Sequence, residues 1–117
     1  MAGQRGAQKK KSTAKITLTD LIGAGVVKAP MEIESIYRGV QFKATIQKDG
    51  RVRWEGDYYE SLSRSAGIAK KSVIGAPRGY EYPPTDGWIF WKFRDLGGGK
   101  LRRIDVLRQK YLDRHVG

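Results

Sequence analysis

Hydrophobic and polar residues alternate most cleanly in the middle of the chain. Val40, Phe42, Ala44 and Ile46 take every second position, with Gln41, Lys43, Thr45 and Gln47 between them, the period of a half-buried strand. The return segment alternates Val52 and Trp54 with Arg51, Arg53 and Glu55. A two-residue Asp49-Gly50 turn would set Ile46 against Arg53. A three-residue loop, Lys48-Asp49-Gly50 with a left-handed glycine, sets Ile46 against Val52 and Ala44 against Trp54 instead. The spacing predicts this second register. It gathers Lys43, Thr45, Gln47, Arg51, Arg53 and Glu55 on a polar face, with Glu55 opposite Lys43 and no acid beside Arg51 or Arg53.

Upstream, Thr17 and Asp20 have the spacing of a capping box, and Leu18, Leu21 and Ile22 share one helical face. A helix of about two turns is expected, with Gly25 as its C-cap and Pro30 preventing continuation. Ile33, Ser35 and Tyr37 alternate with Glu34 and Ile36 as a further strand, and Gly39 allows a tight turn. Downstream, residues 56–59 read as a turn and Ser61 as the cap of a helix whose buried stripe is Leu62, Ala66, Ala69 and Val73. Small side chains in that stripe imply a close approach to the sheet. Residues 75–85 form a loop with Pro77, Pro83 and Pro84, and Asp86-Gly87 a turn.

The run Trp88-Ile89-Phe90-Trp91-Lys92-Phe93-Arg94 is aromatic on both faces and reads as a central strand. Alternation then puts Trp88, Phe90 and Lys92 on one side and Ile89, Trp91 and Phe93 on the other, with Trp88 in the core and Trp91 either facing a ligand or buried by the final helix through Leu107 and Tyr111. Gly97-Gly98-Gly99 ends the strand, and Leu101, Ile104, Leu107 and Tyr111 mark a final amphipathic helix. The expected fold is α+β: a small antiparallel sheet of about four strands, including a β-hairpin, packed against two or three helices.

Composition narrows the chemistry. With 117 residues, the chain is expected to be one domain over 16–117 behind a disordered arm over 1–15, where five basic residues stand with no acid. There is no cysteine, which excludes disulfides, thiolate metal sites and cysteine nucleophiles, and a single histidine, His115, which disfavours histidine-based acid–base or metal chemistry. No metal and no cofactor are expected. The 23 basic and 12 acidic residues leave +11, and the segment from Ile16 onward keeps +6 of it, pointing to a polyanionic partner, nucleic acid first. No apolar run reaches membrane-spanning length and no signal-peptide core is present, so the expected setting is cytoplasmic, on the nucleoid, with no membrane partner.

The residues that suit a nucleic-acid partner are of three kinds. Lys43, Arg51, Arg53, Arg64, Lys70, Lys71, Arg102 and Arg103 could neutralise phosphates. Tyr58, Tyr59, Trp91 and Trp54 could stack on bases, with Tyr80 and Tyr82 as further aromatic candidates, although a small domain also needs its tryptophans for the core. Ser61 and Ser63 could seat a phosphate at a helix N-terminus, while capping alone accounts for Ser61. Phosphate contacts do not distinguish DNA from RNA, so both stay open. No nucleophile motif surrounds the serines, and the acidic residues match no nuclease spacing.

Several segments together resemble the RAMA domain, the module associated with restriction enzymes and adenine methylases. They are Tyr37-Arg38-Gly39 through Ala44, Asp49-Gly50-Arg51-Val52, Tyr59-Glu60-Ser61-Leu62-Ser63 with Ala66, and Asp86-Gly87-Trp88-Ile89-Phe90-Trp91. The opening from Ile16 to Ile22, with Gly25, also looks like that family's first helix. The resemblance implies an α+β domain that faces DNA without catalysing, a reader of methylated or otherwise modified DNA linked to restriction–modification. It further implies a methyltransferase or restriction subunit as a partner; the alternative is a protein-interaction adaptor in such a complex. Neither the target-holding motif of an adenine methylase nor a Gly-rich cofactor loop is present.

Overall fold

The computed structural model describes residues 16–95 and 99–115. The expected arm over 1–15 and the glycines Gly97 and Gly98 lie outside the described residues. Helix α1, Leu18–Gly23, starts on the predicted capping box: Asp20 N–H donates to Thr17 Oγ1 at 3.3 Å, and Thr17 N–H to Asp20 Oδ2 at 2.9 Å. Ala24 is its C-cap and Gly25, with φ of 78°, follows it. Gly25 N–H donates to Ile22 O and Val26 N–H to Leu21 O, the paired bonds that close a helix through a left-handed residue.

Strands β1, Met31–Tyr37, and β2, Val40–Ile46, form the longest antiparallel pair, joined by the two-residue turn Arg38-Gly39. Strand β3, Val52–Trp54, returns in the predicted register with Ile46 opposite Val52. Gln47 N–H donates to Arg51 O at 2.8 Å, which leaves Lys48-Asp49-Gly50 as the loop, and Gly50 is left-handed at φ 89°. Residues 57–59, read from sequence as part of a turn, instead form strand β4, Asp57–Tyr59, after a two-residue Glu55-Gly56 turn. Glu55 therefore leaves the ladder, and the residue opposite Lys43 is Glu34 of β1.

Helix α2, Leu62–Ile74, is capped by Ser61, whose Oγ accepts Arg64 N–H at 3.0 Å; Leu62, Ala66 and Ala69 are buried. The aromatic run then departs from expectation. Gly87–Phe90 is a helical turn, α3, and only Lys92–Arg94 is strand, β5. Asp86 is responsible: its Oδ1 accepts Trp88 N–H at 3.0 Å and its carbonyl accepts Ile89 and Phe90 N–H, so a cap overrides the strand propensity of the aromatics. Leu101–Arg103, expected as helix, is strand β6, and helix α4, Asp105–His115, begins after it. The sheet has six strands in the order β4-β3-β2-β1-β5-β6, so the α+β class holds with two strands more than the sequence suggests.

One face of the sheet carries Ile33, Phe42, Ala44, Ile46, Val52 and Phe93, and these join Leu18, Leu21, Leu62, Ala66, Ala69, Ile104 and Leu107 in one core. On the other face Glu32, Ile36, Gln41, Lys43, Arg53 and Tyr58 are exposed. The helices therefore cover one face and leave the second to solvent. The turn at α3 also exchanges the roles of the tryptophans. Trp91 is wholly buried, its Nε1–H donating to buried Ser65 Oγ at 3.0 Å, and its ring stands edge-on to Phe90 with centroids 5.0 Å apart. Trp88 is only half-buried, under the Arg108 guanidinium at 4.6 Å. The ligand-facing role expected for Trp91 is thus corrected, because a ring closed off by Phe90 and Ser65 has no face for a base.

Replacing Trp91 with Ala is expected to lower stability by about 3–5 kcal/mol. Ser65→Ala, which leaves the indole N–H without an acceptor, should cost about 1–3 kcal/mol. Trp88→Ala should cost less than Trp91→Ala. Urea unfolding of the three variants ranks them directly, and a larger loss at Trp88 would overturn this assignment of the core.

Candidate nucleic-acid interface

The Glu55-Gly56 turn holds both residues left-handed, at φ 51° and 85°, and this tight geometry sets Arg53 opposite Tyr58 on the open face. Arg51 enters from the preceding loop. Its guanidinium carbon lies 4.4 Å from the centroid of Tyr58, and that of Arg53 lies 6.0 Å away, so two cations share one ring that is itself 49% exposed. Three residues singled out from sequence thus come together. Arg51 does have an acidic neighbour, contrary to expectation: its backbone N–H donates to Asp49 Oδ1 at 3.0 Å and its Nε to Oδ2 at 2.8 Å. The backbone N–H first and the guanidinium second hold the Asp49 carboxyl below its ordinary range. The contact is therefore intact at neutral pH and is lost only as pH falls through that depressed value. Being solvent-exposed, it contributes little, and Arg51 can exchange Asp49 for another anion. Arg53 makes no ion pair with another described residue.

Tyr59 points to the helix side of the same strand. Burial pushes its phenol up, the Asp57 charge adds to this, and Arg64 opposes it. Arg64, in the first turn of α2, lies 5.6 Å over the Tyr82 ring and 3.7 Å from Glu81. Gly67 makes room for that ring, since a Cβ there would collide with Tyr82 Cδ1. Ser63, Gly79, Tyr80, Tyr82, Pro84 and Thr85 line a shallow groove of about 490 Å³, with Tyr80 59% exposed. The serines expected to seat a phosphate both accept backbone N–H groups within the protein. Ser61 Oγ is taken by Arg64 N–H, Ser63 Oγ accepts Gly87 N–H at 2.9 Å, and Gly87 lies so close to the Leu62 carbonyl and Ser63 nitrogen that no Cβ fits. Both hydroxyls at the start of α2 are thus engaged within the protein, although Ser61 itself is exposed.

Farther along α2, Lys70 Nζ sits 5.0 Å from the Tyr37 centroid and Lys71 is exposed; neither is ion-paired to another described residue. Lys43 faces a different environment. It shares a cavity of about 390 Å³ with Arg53 and with Glu32, Glu34 and Glu55, where carboxylates outnumber cations. Arg102 is tied to Asp95 at 2.6 Å, while Arg103 stands opposite Lys92 on β5, at the far edge of the sheet from Tyr58. Trp54 packs edge-on to Phe42 at 5.7 Å, partly buried against the core. Sequence reasoning missed Tyr37 as a platform for cations and Gly67 as the seat for Tyr82. The alternation through Tyr37 was readable, but Gly67 carried no local signal.

The described residues contain no group of three or more His, Cys, Asp or Glu side chains that could hold a metal, and no helix among them is long and apolar enough to cross a membrane. The architecture is that of a small α+β domain with helices on one face of an antiparallel sheet and tyrosines paired with cations at its surface. The chain belongs to the RAMA family, described as Restriction Enzyme Adenine Methylase Associated, which it matches over residues 1–117. The family is thus one associated with restriction and methylation enzymes. No curated protein matches the sequence.

Gly67→Ala offers a direct check on the groove. Alanine normally stabilises a helix interior by about 1 kcal/mol over glycine. Here the methyl group must displace Tyr82, so the variant should be less stable than the parent and should show altered tyrosine fluorescence. A gain in melting temperature would mean the ring is not held against the helix.

Proposed function

We propose that this chain is a non-catalytic DNA-binding module, and that it reads methylated or otherwise modified DNA in a restriction–modification setting. The observation that carries the reading is the repeated pairing of cations with exposed or half-buried tyrosines: Arg51 and Arg53 with Tyr58, Arg64 with Tyr82, and Lys70 with Tyr37. Nucleic acids need both components, cations for phosphates and aromatic faces for bases. Helix α2 contributes Arg64, Lys70 and Lys71 with no acid in its sequence. The family description supports the setting, and a methyltransferase or restriction subunit is the protein partner it suggests. Modified-base selectivity would lie with Tyr58, Tyr80 and Tyr82, which have exposed or half-buried rings, rather than with Trp91. Nucleoid association follows from DNA binding.

The test is a binding panel of methylated and unmethylated duplex, single-stranded DNA and RNA at two salt concentrations. Arg51→Gln with Arg53→Gln should weaken binding to all sequences alike and reduce the salt slope by about one per lost phosphate contact. Lys43→Gln should matter least, because Glu34 stands directly opposite it in the β1–β2 ladder. Wild-type protein that binds no nucleic acid, but keeps a stoichiometric protein partner in high salt, would instead establish the adaptor role.

A further inference from the structure

We propose that Arg38 and Lys70, converging on Tyr37 at the tip of the β1–β2 hairpin, form a phosphate-contacting site that extends the DNA-binding surface. The inference rests on the DNA-binding reading and assigns a contact to Arg38, which sequence alone did not mark as a site residue.

The turn itself is the first indication. Tyr37 is paired with Val40, so the connection is Arg38-Gly39 alone, with φ of 52° and 80°. Both positions are left-handed, where glycine, asparagine and aspartate are at ease and a long side chain with a Cβ is not. Arginine is a poor choice for the backbone at this position. What it supplies is a guanidinium held out at the end of the longest hairpin in the sheet.

The second indication comes from a distant part of the chain. Lys70 Nζ lies 5.0 Å from the centroid of Tyr37, and Arg38 Cζ lies 5.7 Å from the same centroid. The ring's negative face helps to hold each cation, and neither is ion-paired to another described residue. A phosphate at the tip would supply the anionic acceptor that both donors lack. Phe90 lies behind, its centroid 6.2 Å from that of Tyr37, so the platform is backed by the core.

Position agrees with this role. Along α2, Lys70 comes six residues after Arg64, about 9 Å farther along the axis. The tip thus lies with Arg64 and Lys70 on the helix side of the sheet, while Arg53 and Tyr58 lie on the open face. A strand following α2 from Arg64 would meet a phosphate contact at the tip, which fixes register rather than sequence.

The experiment uses the full chain, a fluorescent duplex of about 20 base pairs and anisotropy titrations between about 50 and 200 mM salt. Arg38→Asn replaces the cation with a residue that suits the turn better, so its melting temperature should equal or exceed that of the parent. Its salt slope should nevertheless fall by about 0.9, as should that of Lys70→Gln, and the pair together should weaken affinity about threefold to tenfold. An unchanged slope in the double variant, with wild-type protein binding normally, overturns this site and leaves the DNA-binding reading standing. Failure of the wild-type chain to bind DNA overturns both. Exposed Ile36 and Val40 flank the tip, so phosphatidylserine vesicles form a second arm. Loss of vesicle binding in the double variant without loss on DNA would assign the tip to a membrane and overturn the proposal.

Discussion

A buried indole N–H must have an acceptor, and the way this protein supplies one to Trp91 governs much of its architecture. The acceptor, Ser65 Oγ, lies 26 residues earlier on α2 and itself donates to Leu62 O at 2.9 Å. The indole can reach that hydroxyl only if α2 and the segment after Asp86 are in close contact. Two further features enforce the contact: Gly87 rests on the Leu62–Ser63 backbone where no Cβ fits, and Ser63 Oγ accepts the Gly87 N–H. The Trp91 carbonyl in turn accepts Ile104 N–H at 3.1 Å, which ties in the residue that leads from β6 into α4. Helix α2, the α3 turn and the start of α4 are thus fastened around one side chain. Because the hydroxyl, the glycine and the indole must all fit, a slip of one residue anywhere in this set would leave a buried donor unpaired.

The same arrangement decides where charge can act. With every helix on one face, the other face of the sheet must be polar, and there Glu32, Glu34 and Glu55 lie among Lys43 and Arg53, while Arg94 reaches Glu34 at 3.1 Å. That face is mixed rather than cationic. Cations away from those carboxylates lie along α2, where Lys70 approaches the Tyr37 ring. Exposed ion pairs such as Arg51 with Asp49 contribute little to stability and yield readily to another anion. Under the proposed DNA-binding role, such pairs would give way to phosphates and binding would weaken steeply with salt.

What the sequence by itself determined was local. Side-chain alternation and the left-handed requirement at Gly50 were enough to set the β2–β3 register, because a one-residue slip would have buried Arg53 and exposed Val52. The capping box at Thr17 and the Ser61 cap were legible for the same reason: each involves residues three apart and nothing else. The family resemblance was legible in the pooled pattern of its segments. Of the candidate site, Arg51, Arg53 and Tyr58 could be chosen by type, but the β3–β4 pairing that sets Arg53 opposite Tyr58 reads from sequence as a turn.

Tertiary structure alone decided the rest. Asp86 could begin a turn or cap a helix, and only the fit of Gly87 against α2 selects the cap, which moves Trp91 from a ligand-facing position into the core. Leu101–Arg103 has a helix-like pattern, yet an available edge beside β5 makes it a strand. Glu34 became the neighbour of Lys43 through β1 pairing, and Lys70 became the companion of Arg38 through the path of α2. These outcomes depend on contacts between residues far apart in the chain, whose energies have no signature within any window of local sequence.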